Sequence, residues 1–279
     1  MGDDDFDPHE FREPDEEEVE NLYRVDEYFY AAQRDLTTLF DANPKKVYFI
    51  RQLQVLFEEK YFHWITYNAA RGLLTLERVK EEDVASARGG MSTHFLFHPS
   101  NRYTKRETRK AQDIIEEYSR DEITRSCGGR AETLFCAGLA EKGFMPVAKK
   151  VREWTGKKWE KSGHDLDYVF QNRGVSYGCE IKNTLSYIDK EELDIKLEMC
   201  EFFEVRPLFI MRHAPKTYMW DMYRNGGYGM LFKSQIYDLS QKALVEKMKT
   251  ELGLHVDCPR AIPEGILDRF KRWHEAHPV

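Results

Sequence analysis

The chain reads as an α/β protein: a mixed sheet flanked by helices in the carboxy-terminal half, preceded by a mainly α module. Three observations predict this. Two strand-like runs, around Asp165–Phe170 and Gly178–Lys182, flank a turn-like Gln171-Asn172-Arg173-Gly174, as the arms of a hairpin would. Stretches of helical character bracket them, Arg130–Phe144 before and Leu193–Glu204 after. Further upstream, three helical stretches precede two strand-like runs.

The amino-terminal elements follow from their punctuation. Tyr28–Phe40 reads as a helix stopped by Asp41-Ala42-Asn43-Pro44. Tyr48–Phe57 reads as a second, with Phe49, Leu53, Leu56 and Phe57 as its apolar positions. Tyr61–Arg71 reads as a third, burying Phe62, Ile65, Ala69 and Leu73 and exposing His63, Trp64, Tyr67, Asn68 and Arg71. Gly72–Val79 and Thr93–His98 read as strands, with the polar, glycine-containing stretch Val79–Ser92 as the tip between them. Three helices followed by a two-stranded wing resembles a winged helix-turn-helix module. The resemblance implies that the exposed set on the third helix reads base edges or grips phosphate.

Tyr103–Arg120 reads as a charged connecting helix, and Ser126-Cys127-Gly128-Gly129 as the best linker candidate. Beyond it, Arg206–Arg212 and Tyr228–Tyr237 read as strands. Lys242–Leu252 and Ile266–His274 read as helices expected to dock on the second domain. The expected organisation is an acidic tail over 1–20, a helical domain over 21–125 and an α/β domain over 126–279.

Composition sets the frame. The chain has 279 residues, 41% of them hydrophobic and 13% aromatic, room for a substantial core. No apolar run approaches the length of a membrane span, and the acidic amino terminus is no secretory signal. The five cysteines are scattered without a Cys-x-x-Cys pair, which argues against structural zinc or a disulfide framework and makes a reducing cytoplasm the expected setting. The net charge of −7 is unevenly spread. Residues 1–20 hold eleven acidic side chains and one base, Arg12, while the remainder has 41 basic against 38 acidic residues. The body is mildly basic, and the acidic run is either a solubilising tail or a mimic of DNA that competes for a basic cleft.

The chemistry concentrates at His164-Asp165-Leu166-Asp167 and Gly178-Cys179-Glu180-Ile181-Lys182. On a strand, Glu180 and Lys182 share a face and stand roughly 6–7 Å apart, while Ile181 faces the other way. Asp165 and Asp167 share a face by the same parity. Carboxylates from two paired strands converging on one point suit a hard divalent ion, with waters and a substrate phosphate completing its shell. A lysine beside it can steer or deprotonate an attacking water, which predicts metal-assisted phosphodiester hydrolysis. Glu132 intrudes on an apolar helical stripe with Phe135, Cys136 and Leu139, and metal coordination is one way to compensate a buried carboxylate. Lys142, Lys149, Lys150, Arg152, Lys157, Lys158 and Lys161 cluster just before the Asp strand, with Trp154 and Trp159 around a Thr155-Gly156 turn. They read either as a solvated hairpin or as a phosphate-neutralising rim.

Asp167 followed by a gap of about a dozen residues and Glu180-x-Lys182 resembles the PD-(D/E)XK nuclease superfamily. The flanking order is similar too: a leading helix from Arg130 to Phe144, the Asp strand, the Glu-x-Lys strand, a helix and a strand. No proline precedes the acidic residue; His164-Asp165 stands there, which leaves Asp165 and Asp167 both open as the main ligand. The resemblance covers roughly Arg130–Arg212 and implies a restriction-endonuclease-like fold. It implies magnesium or manganese held by Asp167, Glu180 and the Ile181 carbonyl, with Glu132 and Asp165 as further candidate ligands. Lys182 would orient the water and stabilise the pentacovalent phosphate, and the products would carry 5′-phosphate and 3′-hydroxyl ends. The implied substrate is duplex or branched DNA, and cutting both strands would call for a homodimer. DNA contacts are expected from His63, Tyr67, Asn68, Arg71, Lys149, Lys150, Lys157 and Lys158. The alternatives are a DNA-binding regulator, or an interaction protein, in which the nuclease fold is inactive.

Overall fold

The computed structural model describes residues 25–86 and 92–278, which form two compact units: one up to Thr124 together with Ser240–Val256, the other Arg125–Leu239 together with Asp257 onward. The acidic run at 1–20 and part of the expected wing tip lie outside the described residues.

The first unit is built on α1 (Val25–Ala42), β1 (Val47–Phe49), α2 (Ile50–Phe57), α3 (His63–Thr75), β2 (Lys80–Val84), β3 (Thr93–Phe97) and α4 (Thr104–Tyr118). The strands form a three-stranded antiparallel sheet in the order β1-β3-β2. Its core joins Leu36 and Phe40 of α1, Leu53 of α2, Ile65, Ala69 and Leu73 of α3 and Leu96 of β3. Three expectations are corrected here. The second helix starts at Ile50, because Tyr48 and Phe49 pair with β3 and Gln52 turns back to accept from the Phe49 amide at 3.3 Å. The run from Gly72 does not begin a strand: Leu73 continues the Ile65/Ala69 stripe, so α3 carries on to Thr75 and β2 begins at Lys80. Helix α8 (Lys242–Leu252) belongs to this unit, not the second. Gln52 Nε2 donates to the Leu252 carbonyl at 2.9 Å, and Lys110 pairs with Glu251 at 2.6 Å.

The second unit runs α5 (Asp121–Glu141), β4 (Met145–Val151), β5 (Glu153–Trp154), β6 (Lys157–Lys158), β7 (Leu166–Asn172), β8 (Val175–Lys182), α6 (Lys190–Phe203), β9 (Arg206–Met211), α7 (Lys216–Arg224), β10 (Tyr228–Leu231) and α9 (Glu264–Ala276). Its five-stranded sheet has the order β10-β9-β8-β7-β4. It is mixed, antiparallel across β4/β7/β8 and parallel across β8/β9/β10. The proposed linker Ser126–Gly129 lies inside α5, where burial of Cys127 and Ala131 outweighs the poor helix propensity of two glycines.

Strand alternation sends Tyr168, Phe170, Tyr177, Cys179, Leu208 and Ile210 into a core with α5 and α9. The opposite face packs Val169, Met199, Cys200 and Phe203 together, and Phe209 and Met211 with α6 and α7. Helices therefore cover both faces. The β7–β8 turn is Arg173-Gly174, with φ of 46° and 87°, the left-handed pair a two-residue hairpin needs. The edge strand β4 is interrupted by a bulge between Pro146 and Ala148, and Lys150 has a φ of 52°.

Candidate functional site

The β7–β8 register pairs Tyr168 with Cys179 and so sets Asp167 across from Glu180, both on the face that α6 covers. Helix α6 lies close over this spot because residue 178 is glycine. A Cβ there would meet Cys200 Sγ at 2.7 Å, Val205 at 2.8 Å and Leu166 at 2.9 Å. The helix is fixed at its start by Asp189, whose side chain accepts from the Glu191 amide at 2.9 Å.

Glu180 is 2% exposed and carries two ammonium groups. Lys182 Nζ lies 3.0 Å from its Oε1, and Lys196 Nζ lies 2.6 Å from its Oε2. Lys182 also donates to Glu192 at 2.7 Å. Burial works to lower the Lys182 pKa, but Glu180 and Glu192 outweigh it and hold the ammonium above the ordinary lysine value. At neutral pH Lys182 is thus a hydrogen-bond donor and a cation rather than a base. Lys196 is 3% exposed; it donates to the Asp165 carbonyl and lies 4.0 Å from the Asp165 carboxylate.

Asp167 is treated differently. Its Oδ2 accepts from the Ile181 amide at 2.8 Å, and among the described residues it has no ion-pair partner. Burial, then the charge of Glu180, push its carboxyl up to about 6, against the relief given by the Ile181 amide, Lys196 and Lys182. The two aspartates left open by parity are therefore distinct: Asp167 is enclosed beside Glu180, whereas Asp165 stands beside Lys196. The loop that follows Lys182 is tied down by the buried Asn183 and Arg212. Asn183 donates to the Cys127 and Ile236 carbonyls at 2.9 and 2.7 Å, and Arg212 donates to the Thr184 and Leu185 carbonyls at 3.0 Å.

One expected ligand, Glu132, is not gathered in. Glu132 lies on α5, which packs on the opposite face of the sheet, where Lys149 donates to it at 2.7 Å and the Tyr168 hydroxyl at 2.8 Å. Burial works to raise its pKa, but those two hydrogen bonds hold it below the ordinary glutamate value. Its place on the apolar stripe is satisfied by a lysine and a tyrosine. The Ile181 amide, on the strand edge that faces Asp167, donates to Asp167 Oδ2 at 2.8 Å. Conversely, Glu192 and Lys196 were not anticipated. The signal was available: Lys196 breaks the stripe Leu193, Leu197, Cys200, as Glu132 does its own.

Among the described residues no three of the site's carboxylates bring ligand atoms within 4.8 Å of one another, so what the site offers a hard cation is a carboxylate pair. Asp165, Asp167, Glu180 and Glu192 face two ammonium groups, leaving two negative charges, and every unused donor is a carboxylate or carbonyl oxygen.

The expected nucleic-acid contacts divide. His63 is buried, its Nε2 3.4 Å from Glu58 and its Nδ1 3.3 Å from Arg51, because α3 begins at His63 and turns that residue onto the same face as Thr66 and Ala70. Trp64 and Tyr67 are 47% and 44% exposed, with Asn68 and Arg71 exposed beside them. Arg71 lies 3.4 Å from Glu81 of β2; Glu81 and Asp83 of β2 and His94 of β3 bring ligand atoms within 4.8 Å of one another. Lys149 pairs with Glu132, Lys157 with Glu204 at 2.7 Å and Lys158 with Glu160 at 2.7 Å, while Lys150 is exposed and makes no ion pair among the described residues. Trp159 is buried beneath them.

No family model, no curated protein and no solved structure matches the chain. No helix among the described residues is long and apolar enough to cross a membrane. The functional reading rests on the geometry above.

Proposed function

We propose that this protein is a divalent-metal-dependent DNA endonuclease of PD-(D/E)XK type with an amino-terminal winged-helix module. The observation that carries the reading is the carboxylate pair: half-buried Asp167 opposite buried Glu180, with Lys182 on the same face and, among the described residues, no ion-pair partner at Asp167. The order α5, β4, β7, β8, α6, β9 supports a nuclease core of this type, and the order α1-β1-α2-α3-β2-β3 supports a winged-helix reading of the first unit.

Asp167 and Glu180 would hold magnesium or manganese. A bound divalent ion supplies Lewis acidity toward the phosphate and a more acidic water. Lys182, kept protonated by Glu180 and Glu192, donates to the attacking water or the phosphate oxygens and offsets charge as it builds there. Exposed Tyr67, Asn68, Arg71 and Lys150 would hold the DNA backbone, and the lysines bound to Glu132, Glu160 and Glu204 can exchange those partners for phosphate because exposed pairs are weak. Products would carry 5′-phosphate and 3′-hydroxyl ends, and cutting both strands would take two chains.

One observation favours a second reading, a DNA-binding regulator with an inactive nuclease fold: both oxygens of Glu180 are already occupied by lysines. Nicking and linearisation of supercoiled plasmid with magnesium or manganese separates the two. Cleavage by the wild type that is lost in Lys182→Ala and Asp167→Ala supports the enzyme. DNA binding without cleavage of plain, methylated or branched DNA supports the regulator.

A further inference from the structure

We infer that Lys196 is a built-in cation of the carboxylate site and restricts it to a single divalent ion. The inference rests on the metal-site reading above and adds to it the number of ions.

Lys196 is costly where it stands. It is 3% exposed on an α6 face otherwise made of Leu193, Leu197 and Cys200, and an ammonium withdrawn from water there costs several kcal/mol before its partners offset it. A leucine would serve packing alone. What the lysine gains is an oxygen shell: Glu180 Oε2 at 2.6 Å, the Asp165 carbonyl, and the Asp165 carboxylate at 4.0 Å. That is the kind of shell a hard cation takes.

The position has a consequence for stoichiometry. Sites with two metal ions hold them about 3.5–4 Å apart, clamping the attacking and leaving oxygens between them. A carboxylate that spans two such ions through both of its oxygens offers one to each. Glu180 Oε2 is held at 2.6 Å by the buried Lys196, whereas Oε1 is held at 3.0 Å by the more exposed Lys182, so Oε1 is the oxygen that Glu180 can release to an ion. Charge agrees: Asp165, Asp167, Glu180 and Glu192 against Lys182 and Lys196 leave two negative charges, which one divalent ion neutralises and a second would overshoot.

The test is the number of Mn2+ ions bound per full-length chain, counted at pH 7.5 by the electron paramagnetic resonance signal of free Mn2+ and by calorimetry. The wild type is expected to bind one ion that is lost in Asp167→Ala, which assigns it to this site rather than to Glu81, Asp83 and His94. Lys196→Gln is expected to bind a second ion, lost again when Glu180→Gln is added, and Lys196→Arg is expected to remain at one. Two ions removed together by Asp167→Ala in the wild type would overturn the inference. So would a folded Lys196→Gln that still binds one. If Lys196→Gln does not fold, the wild-type count and the Lys196→Arg count decide. A wild type that binds no Mn2+ at Asp167 would remove the metal-site reading itself, a different result from either.

Discussion

Asp167 and Glu180 face each other across the β7–β8 hairpin, yet one is held by a single backbone amide and the other by two lysines. The asymmetry places the unrelieved charge of the site on Asp167, and its consequences are measurable without substrate.

The first is a pH dependence of stability with an unusual sign. The Asp167 carboxyl has an ordinary value of 3.8 in the unfolded chain and about 6 in the fold. Between these values the folded protein holds more protons than the unfolded one, so this residue's contribution to stability falls as pH rises through the window. Asp167→Asn, in chelator, is expected to be more stable than the wild type at pH 8, on the order of 2–3 kcal/mol, with the gain shrinking toward pH 4. Urea unfolding of both proteins at the two pH values checks it; a less stable Asp167→Asn at pH 8 would contradict the burial of an unpaired charge.

Cleavage itself should report the two groups separately. Lys182→Ala is expected to lower the cleavage rate by about 10²–10³, the usual effect of removing one donor to developing charge. Because Lys182 stays protonated well beyond neutrality, the acidic limb of the rate profile should report protons competing with the metal for Asp167, move to lower pH as metal concentration rises, and persist in Lys182→Arg. A wild-type profile with no acidic limb between pH 5 and 7 at low metal concentration would count against Asp167 as the titrating ligand.

Arg71→Ala on the first unit and Lys150→Ala on the second are each expected to weaken DNA binding uniformly across sequences and to reduce the slope of log K against log salt by about 1. His63→Ala should leave that slope unchanged and instead cost about 1–3 kcal/mol of stability, since it strips a hydrogen bond from the buried Glu58. Fluorescence anisotropy at several salt concentrations, with a thermal melt of each variant, distinguishes the two roles.

Gly178→Ala tests how the helix is seated. The added methyl would lie under 3.0 Å from Cys200, Val205 and Leu166, so α6 must lift from β8, at about 1–3 kcal/mol. Lifting α6 also draws Lys196 from Glu180, and so Mn2+ affinity should change in a variant whose substituted residue carries no charge. Unaltered metal binding in a destabilised Gly178→Ala would separate packing from the site.

The legible parts of this chain were those governed by local rules. The Asn172-Arg173-Gly174 turn, the parity of Glu180 and Lys182, and the helix at Leu193–Glu204 are short-range matters, and the structure places them close to expectation, whereas the helix read from Arg130 begins at Asp121, running back through the expected linker. What failed depended on partners distant in sequence. Phe49 reads as a helical residue until β3, over forty residues on, claims it for a sheet. Glu132 shares its helix stripe with core residues but is satisfied by Lys149 and Tyr168, and nothing local distinguishes that from coordination. A two-residue shift in where α3 begins buried His63 rather than exposing it. Lys196 went unread because a lysine on a helix is ordinarily solvated, and only the sheet beneath shows where it points.

The interrupted strand β4 constrains how two copies of this chain can associate. Pro146 offers no amide hydrogen, the bulge breaks the spacing of the remaining donors, and Lys149 and Lys150 would meet their own counterparts across an antiparallel seam. A continuous ten-stranded sheet grown through this edge is therefore disfavoured. A pair of chains acting on opposite strands of one duplex would have to be joined through helices or loops, leaving the lysine-bearing margin open to solvent and to the nucleic acid.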